Sequence, residues 1–297
     1  MISKSVKLAV FVLSCVLLLS CSCATSSGSS KLDNNLSIPR ASFLKIDVDI
    51  VIRSCSEETG ACDLDRRDFI SGSGFVVDKA RHKGTYVMSA GHVCDPSAFA
   101  NVVALGQPWT LEFSGITKEE KVYKLHVLEV DNEKDLCLLY APTLERIPIK
   151  VATKKLLPGS RIWNVAAPAG VMYRGAPIII DGIFNGTNLD TGHDMYTMFV
   201  AGGSSGSAIL NEDGEVVGLV SMMDLRFPFI AISPSHDDLS EFFQRAIVYH
   251  ENIGAPADKV YKIVLPSLPK LPSLPEIELP ELPDLYGMAK EWLADLF

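Results

Sequence analysis

Three short segments of the chain carry side chains that together could perform nucleophilic catalysis. They are Ser89–Val93, Asp135–Leu139 and Gly202–Ser207, and they contain a histidine, an aspartate and a serine in that order. A serine hydroxyl is a weak nucleophile at neutral pH, so it needs a histidine as general base, and the histidine needs a carboxylate to hold its tautomer. Glycines beside the serine would let the chain turn tightly enough to present backbone N–H groups to a developing oxyanion.

Each of these residues alone has an ordinary structural explanation. A histidine at a strand end is usually structural, and an aspartate before an apolar strand is usually a turn residue. Asp131 would suit the carboxylate role as well as Asp135 does. We expect structural roles for the remaining five histidines: His82, His126, His193, His236 and His250. The joint occurrence, in order and beside strand-like segments, is what favours catalysis.

Read together, the segments resemble the TAGHV, DLALL and GNSGGP signatures of the trypsin-like serine peptidases, nearest to the HtrA/Deg branch. The resemblance covers roughly residues 68 to 248, including a hairpin at 212–221 and a closing strand at 229–235. It implies an all-β fold of two six-stranded antiparallel β-barrels with a C-terminal helix. It also implies an endopeptidase that hydrolyses protein or peptide substrates through an acyl-enzyme and needs no cofactor.

The resemblance and the residue chemistry agree on the roles within the site. Ser205 is expected to be the nucleophile, His92 the general base and then acid, and Asp135 the residue that orients His92. By carry-over from the family, the N–H groups of Gly203 and Ser205 would form the oxyanion hole.

Some positions depart from the family pattern. The third segment reads GSSGSA, so that Ser207 and Ala208 replace glycine and proline after the nucleophile. Ser204 stands where pancreatic-type enzymes place an aspartate that pairs with a freshly cut N-terminus, so activation by such cleavage is not expected. We expect no PDZ module after the peptidase domain, and therefore no peptide-sensing regulation of the HtrA kind.

The substrate pocket is weakly encoded in the sequence. By family analogy its candidates are Phe199, Val200, Ser221, Met222 and Met223. Phe199, and no acid, stands six residues before Ser205, which disfavours a preference for Lys or Arg and leaves a small or medium apolar residue. The two methionines could equally be core residues.

The cysteines suggest one disulfide and no metal site. Cys55 and Cys62 flank a polar, glycine-containing stretch that can turn, so we predict a bond between them. Cys94 and Cys137 lie in apolar contexts, and we slightly favour two buried free thiols there. The chain has no CxxC or HExxH motif, which leaves a metal site without support.

Period-two alternation predicts strands through most of residues 42–233. Phe43–Ile52 and Lys121–Val130 show it most clearly, with turn residues between the apolar runs, as in an all-β barrel or sandwich. One helix is predicted over Asp237–Glu251, with acids in its first turn and a single apolar stripe.

The first twenty residues are typical of an export signal, with Lys4 and Lys7 before an apolar run too short to span a bilayer. The segment ending at Cys21 resembles a bacterial lipobox, in which the cysteine is acylated and tethers the protein to a membrane. Plain cleavage near Ala24 and an uncleaved anchor are the alternatives. The expected location is the cell envelope or periplasm.

Prolines recur through residues 265–283 and favour polyproline II, after which the chain closes with an amphipathic stretch. We therefore divide the chain into an export signal (1–20), a polar tether (21–41), the peptidase domain (42–252), a proline-rich linker (253–283) and a short amphipathic helix (284–297). The terminal helix is expected to dock on this chain or on a partner, although a loosely ordered tail is also compatible with the sequence.

Net charge excludes one class of function and leaves several open. The chain carries −9 overall and no basic block beyond its first residues, so nucleic-acid binding lacks an electrostatic basis. The alternatives to an exported protease are a catalytically silent binding module and a structural envelope or virion lipoprotein. An esterase is disfavoured by the β-rich context, because esterases usually carry a GxSxG elbow on an α/β sheet.

Overall fold

The structure is a computed structural model that describes residues 38–56, 59–81 and 83–253. The strands are β1 (Phe43–Cys55), β2 (Cys62–Lys79), β3 (Thr85–Ala90), β4 (Trp109–Thr117), β5 (Val122–Asp131), β6 (Leu136–Ala141), β7 (Arg161–Ala166), β8 (Ile178–Thr187), β9 (Asp194–Thr197), β10 (Ala208–Leu210), β11 (Val216–Leu219), β12 (Met222–Met223) and β13 (Ile230–Ser233). The α-helices are α1 (Gly91–Cys94), α2 (Ser97–Ala104) and α3 (His236–Ile253), and 3-10 turns lie at Arg40–Ser42 and Pro168–Gly170.

The first six strands form a closed antiparallel barrel in the order β1-β2-β3-β6-β5-β4. Side chains of β1 alternate between buried and half-buried positions over Leu44–Ile50, which is the pattern of a strand with one face on a core. β3 and β6 are buried along their whole lengths and pair from Thr85 with Ala141 to Ala90 with Leu136. The ends of these two strands carry His92 and Asp135.

The other seven strands form one sheet in the order β11-β10-β7-β8-β9-β13-β12. Its two edge strands are consecutive in the chain, separated only by Val220 and Ser221. The N–H of Val220 donates to Ser207 beside one edge, and the N–H of Ser221 donates to Ile232 beside the other. The sheet is therefore curled, because a connection of only two residues joins its two edge strands.

The all-β prediction with a trypsin-like two-barrel arrangement is confirmed, with one change in strand number. The first body has the predicted six strands, but the second has seven. The reason is that the segment from Val216 to Met223 is divided at Val220 and Ser221 into β11 and β12, which pair with different neighbours.

The predicted C-terminal helix corresponds to α3, which runs slightly further at both ends than the predicted 237–251. Its buried residues Leu239, Phe242 and Ala246 belong to the same apolar cluster as the residues inside the first barrel. Helices α1 and α2 are additional to the prediction. In α2, Ala100 and Ala104 pack against Ile50 and Ile52 of β1.

Several sequence predictions fall outside the described residues. The export signal, Cys21 and most of the tether lie in 1–37, and the proline-rich linker and terminal helix lie in 254–297, so the proposed domain boundaries stay predictions. Within the part of the chain that is described, no helix is long and apolar enough to cross a bilayer.

Candidate active site

The end of the β3–β6 ladder brings His92 and Asp135 together. Because Ala90 is paired with Leu136, the one-turn helix α1 and the turn before β6 leave the barrel side by side. The backbone N–H of His92 donates to Asp135 Oδ1 at 2.8 Å, and His92 Nδ1 lies 3.0 Å from both Oδ1 and Oδ2. A carboxylate can only accept here, so Nδ1 carries the proton and Nε2 is left as the basic nitrogen.

The surroundings of Asp135 keep its carboxyl group ionised. Burial alone would raise the pKa of Asp135, but hydrogen bonds from His92 and Ser221 outweigh it and leave the pKa below its ordinary value. His92 is about half exposed, whereas the Asp135 side chain is only 22% exposed. The arrangement therefore holds a negative charge behind an imidazole that faces solvent.

The side chain of Asp131, the alternative carboxylate, stabilises the turn between β5 and β6. Its Oδ1 accepts hydrogen bonds from the N–H groups of Glu133 and Lys134 at 3.1 and 2.9 Å. The structure thus places Asp135, and not Asp131, against the His92 ring.

Ser221, one of the predicted pocket residues, has a hydrogen bond that the sequence did not predict. Its hydroxyl donates to Asp135 Oδ2 at 2.5 Å, and its place in the substrate pocket stays a prediction. Ser221 lies in the connection between β11 and β12, so this bond joins the second sheet to the carboxylate at the end of the first barrel. Sequence reasoning missed it because the two residues are 86 positions apart.

The loop that carries Ser205 is held from below by Ser73 of β2. The backbone N–H of Ser73 donates to the Ser205 carbonyl at 2.8 Å, and the Ser73 hydroxyl donates to the Gly203 carbonyl at 2.8 Å. The same hydroxyl accepts from the Ala167 N–H at 3.1 Å, and Ser73 is fully buried. No local sequence signal marks this role of Ser73, because its partners Gly203 and Ala167 lie 130 and 94 positions away.

The peptide before Gly203 is held in one orientation. The carbonyl of Gly202 accepts from the Ala169 N–H at 2.5 Å, and in a trans peptide the N–H of Gly203 then points the opposite way. Gly203 has φ +88°, and a Cβ there would come within 2.5 Å of the Ala167 carbonyl, so the position requires glycine. Among the described residues, neither the Gly203 N–H nor the Ser205 N–H has a protein acceptor, which leaves both available to an oxyanion.

The Ser205 loop lies next to the strand end that carries His92. A Cβ on Gly206 would come within 2.8 Å of the Ala90 nitrogen, and a Cβ on Gly72 would contact Val93 at 2.7 Å and the Ser205 carbonyl at 3.4 Å. In the described part of the chain, no hydrogen bond joins the Ser205 hydroxyl to His92. Catalytic hydrogen bonds of this kind are often long before substrate binds.

The remaining pocket candidates differ in exposure: Phe199 and Met222 are exposed, whereas Val200 is buried. Phe199 is 43% exposed and Met222 46% exposed. The Phe199 ring packs 6.0 Å from that of Phe229, and Phe229 packs 5.6 Å from Phe227, forming an exposed aromatic cluster. Val200 is buried in the core of the second sheet, with Met223 packed against it.

The structure contains two disulfides among the described cysteines. Cys55 is bonded to Cys62 across the end of the β1–β2 hairpin. Cys94 is bonded to Cys137, so the expectation of two buried free thiols is wrong. Both sulfurs are buried as expected, but the ends of α1 and β6 converge and bring the two cysteines within bonding distance. No cluster of three or more metal-ligating side chains occurs in the described ranges.

Comparison with known proteins places these features in a family. Residues 72–219 match the family model for the trypsin-like peptidase domain. A relative from Marinomonas sp., "Probable periplasmic serine endoprotease DegP-like", is 27% identical over 162 residues, which cover 52% of this chain and 30% of that protein. The chain thus spans less than a third of that relative.

Two solved structures are also similar. A protease from M. tuberculosis in its active form has a TM-score of 0.49 and 16% identity, covering 70% of this chain and 82% of that one. A serine endoprotease from Yersinia pestis has a TM-score of 0.49 and 15% identity, covering 72% of this chain and 64% of that one. The family match shows that residues 72–219 carry a trypsin-like peptidase domain, and this domain is similar in sequence to the DegP-like serine endoprotease.

Proposed function

We propose that this chain is an exported serine endopeptidase that cleaves peptide bonds through a Ser205 acyl-enzyme. The observation that carries the proposal is the His92–Asp135 contact at 3.0 Å beside a loop whose Gly203 and Ser205 N–H groups have no protein acceptor in the described chain. A base, its orienting carboxylate and an oxyanion site are the parts that acyl transfer to serine requires.

In the proposed reaction, His92 Nε2 takes the proton of Ser205 as the hydroxyl attacks the substrate carbonyl. The ionised Asp135 stabilises the imidazolium that results, and the N–H groups of Gly203 and Ser205 donate hydrogen bonds to the tetrahedral oxyanion. His92 then protonates the leaving amine. Water, deprotonated by the same nitrogen, hydrolyses the acyl-enzyme and releases Ser205.

The substrate class follows from the residues beside the loop. Phe199 stands six positions before Ser205, and the neighbouring exposed side chains are aromatic or apolar, including Met222 and Phe229. An acidic partner for Lys or Arg is absent from these candidates. We therefore propose protein or peptide substrates with a small or medium apolar residue before the cleaved bond.

Export to the envelope is supported by independent features. The first twenty residues have the pattern of an export signal, and the described chain contains two disulfides, which persist in oxidising compartments. The DegP-like relative is named as periplasmic. Acylation of Cys21 and docking of helix 284–297 on self or a partner are proposed from the sequence alone. Incorporation of labelled palmitate that is lost in Cys21→Ala tests the acylation.

The test of the enzymatic proposal is labelling of the full-length chain with a fluorophosphonate probe. Wild type should label, whereas Ser205→Ala and His92→Ala should not, because the first lacks the nucleophile and the second lacks the base. His193→Ala is the matched control, because His193 lies in the loop between β8 and β9 and no hydrogen bond in the described chain joins it to His92, Asp135 or Ser205, so it should label like wild type. Folded wild type that fails to label would refute the proposal and favour a silent binding module.

A further inference from the structure

The Cys94–Cys137 disulfide lies in register with the proposed catalytic pair. Cys94 follows His92 by two residues, and Cys137 follows Asp135 by two residues. Their Cα atoms are 6.4 Å apart, and the two side chains are 2% and 0% exposed. One covalent bond thus connects the segment that carries the base to the segment that carries its carboxylate.

The helical segment that carries His92 is too short to be stable by itself. Helix α1 consists of four residues, a single turn, and Ala90 at its N-terminal end provides no side-chain cap. A helix of this length is unstable without tertiary contacts, because one turn does not repay the entropy of its nucleation. Its C-terminal residue, Cys94, is the residue bonded to the barrel.

The segment that carries Asp135 also needs support from its surroundings. Asp135 has φ +52°, in the left-handed region that non-glycine residues seldom occupy and that aspartate tolerates better than most. The β3–β6 ladder ends at the pair Ala90–Leu136, and His92 and Asp135 lie just outside it. The contacts between the two segments include the His92–Asp135 hydrogen bonds, the disulfide, and close packing of Gly91 on Asp135, where a Cβ on Gly91 would come within 3.1 Å of the aspartate.

We propose that the Cys94–Cys137 disulfide is a positioning device that fixes His92 against Asp135. The proposal rests on the proposed function, because it explains how the base and its carboxylate keep their geometry. Without the bond, α1 can rotate or shift relative to the start of β6. A displacement of about 1 Å at such a pair is enough to lower turnover by about a hundredfold.

The second disulfide supplies a matched control. Cys55 and Cys62 close the β1–β2 hairpin at residues that are exposed, and neither cysteine is near the catalytic segments in sequence. Removing this bond deletes a cross-link from the same protein without touching α1 or β6.

The experiment compares Cys94→Ala/Cys137→Val, whose side chains approximately replace the lost volume, with Cys55→Ala/Cys62→Ala and wild type. All are measured at a temperature where circular dichroism shows each to be fully folded. The first readout is the rate of fluorophosphonate labelling of Ser205, together with kcat and KM for a peptide substrate. The second readout is the proton NMR signal of the His92 Nδ1–H, which is shifted downfield while this N–H is hydrogen-bonded to Asp135. This measurement does not require turnover.

The proposal expects Cys94→Ala/Cys137→Val to lower the labelling rate and kcat by about tenfold or more, with KM nearly unchanged, and to broaden or remove the Nδ1–H signal. The Cys55→Ala/Cys62→Ala variant should match wild type in labelling rate, kcat, KM and the Nδ1–H signal. Equal labelling and an unchanged Nδ1–H signal in a folded Cys94→Ala/Cys137→Val protein would overturn the proposal. If wild type itself does not label, the proposed function fails, while the Nδ1–H signal still decides whether the disulfide positions the pair.

Discussion

The hydroxyl of Ser221 donates a hydrogen bond to Asp135 Oδ2 at 2.5 Å and so connects the second sheet to the carboxylate that His92 contacts. We expect Ser221→Ala to lower kcat by about tenfold, because a hydrogen bond to a charged group is worth about 1.5–3 kcal/mol and its loss leaves the carboxylate less firmly held. KM should change little, since the effect is on the base and not on substrate contacts.

A double-mutant cycle separates this effect from a change in the pocket. If Ser221 acts through Asp135, adding Ser221→Ala to Asp135→Asn should cost little beyond the single change. Fully additive losses in kcat would show that Ser221 acts independently of the carboxylate.

The choice between two neighbouring aspartates can be tested directly. Asp135→Asn should lower kcat by about 10³–10⁴-fold, because an amide neither holds the required tautomer of His92 nor stabilises its cation. Asp131→Asn should leave activity near the wild-type level, since an asparagine oxygen can still accept the turn hydrogen bonds from Glu133 and Lys134. Steady-state kinetics on a peptide substrate measure both. A larger loss in Asp131→Asn would reverse the assignment.

Asp135 should also affect stability in acid. Its pKa in the folded chain is lowered by the hydrogen bonds from His92 and Ser221, which outweigh burial, whereas in the unfolded chain it titrates near the ordinary value of about 3.9. Its contribution to the free energy of unfolding is therefore complete above that value and is lost as pH falls through the lowered pKa. Denaturant titrations between neutral and strongly acidic pH should show a shallower decline in Asp135→Asn than in wild type. Parallel declines would contradict this.

His92, Asp135 and Ser205 could be selected as candidates from the sequence because each lies in a short local motif, and the structure brings His92 and Asp135 into contact. The supporting contacts could not be selected in this way. Ser73 reaches Gly203 across 130 positions and Ser221 reaches Asp135 across 86, so both depend on how the two sheets meet.

The limits on the fold prediction have a similar origin. The alternating apolar pattern identified β1 and β5, and a long apolar stripe identified α3. Helix α1, with four residues, is too short to show a 3.6-residue period. The division of the second sheet into seven strands depends on the different partners of Val220 and Ser221, which no local pattern specifies.

Ser73 provides a test of how the loop that carries Ser205 is held in position. Ser73→Ala leaves the Gly203 carbonyl and the Ala167 N–H without their partner, at a cost of about 1–3 kcal/mol in the free energy of unfolding. We expect kcat to fall by about 10- to 100-fold as the Gly203 N–H loses its alignment. Chemical denaturation and kinetics measure the two effects.

Ser233→Ala is the matched control for this prediction. Ser233 is also a fully buried serine, and its hydroxyl donates to the Pro234 carbonyl at 2.8 Å and accepts from the Leu219 N–H at 3.1 Å, so it makes the same two kinds of bond with partners other than Gly203. This control variant should lose a comparable free energy of unfolding but should keep much more of its kcat than Ser73→Ala. Equal losses of kcat in the two variants would indicate a general packing effect in place of alignment of the loop.

The two disulfides should differ in their contributions to stability, because they close loops of different length. The sequence separations are 43 for Cys94–Cys137 and 7 for Cys55–Cys62. In the chain-entropy description, these loops correspond to about 4 and about 2.5 kcal/mol of stabilisation through the unfolded state. Denaturant unfolding of the two double-cysteine variants should therefore show the larger loss of unfolding free energy for the Cys94–Cys137 pair. A larger loss for the hairpin pair would mean that native-state contacts outweigh loop entropy.

Stability alone cannot account for a selective loss of kcat, since a folded population measured well below its unfolding midpoint has nearly its full concentration of active sites. The ranking of the variants by unfolding free energy and their ranking by labelling rate thus report different properties of the same bonds.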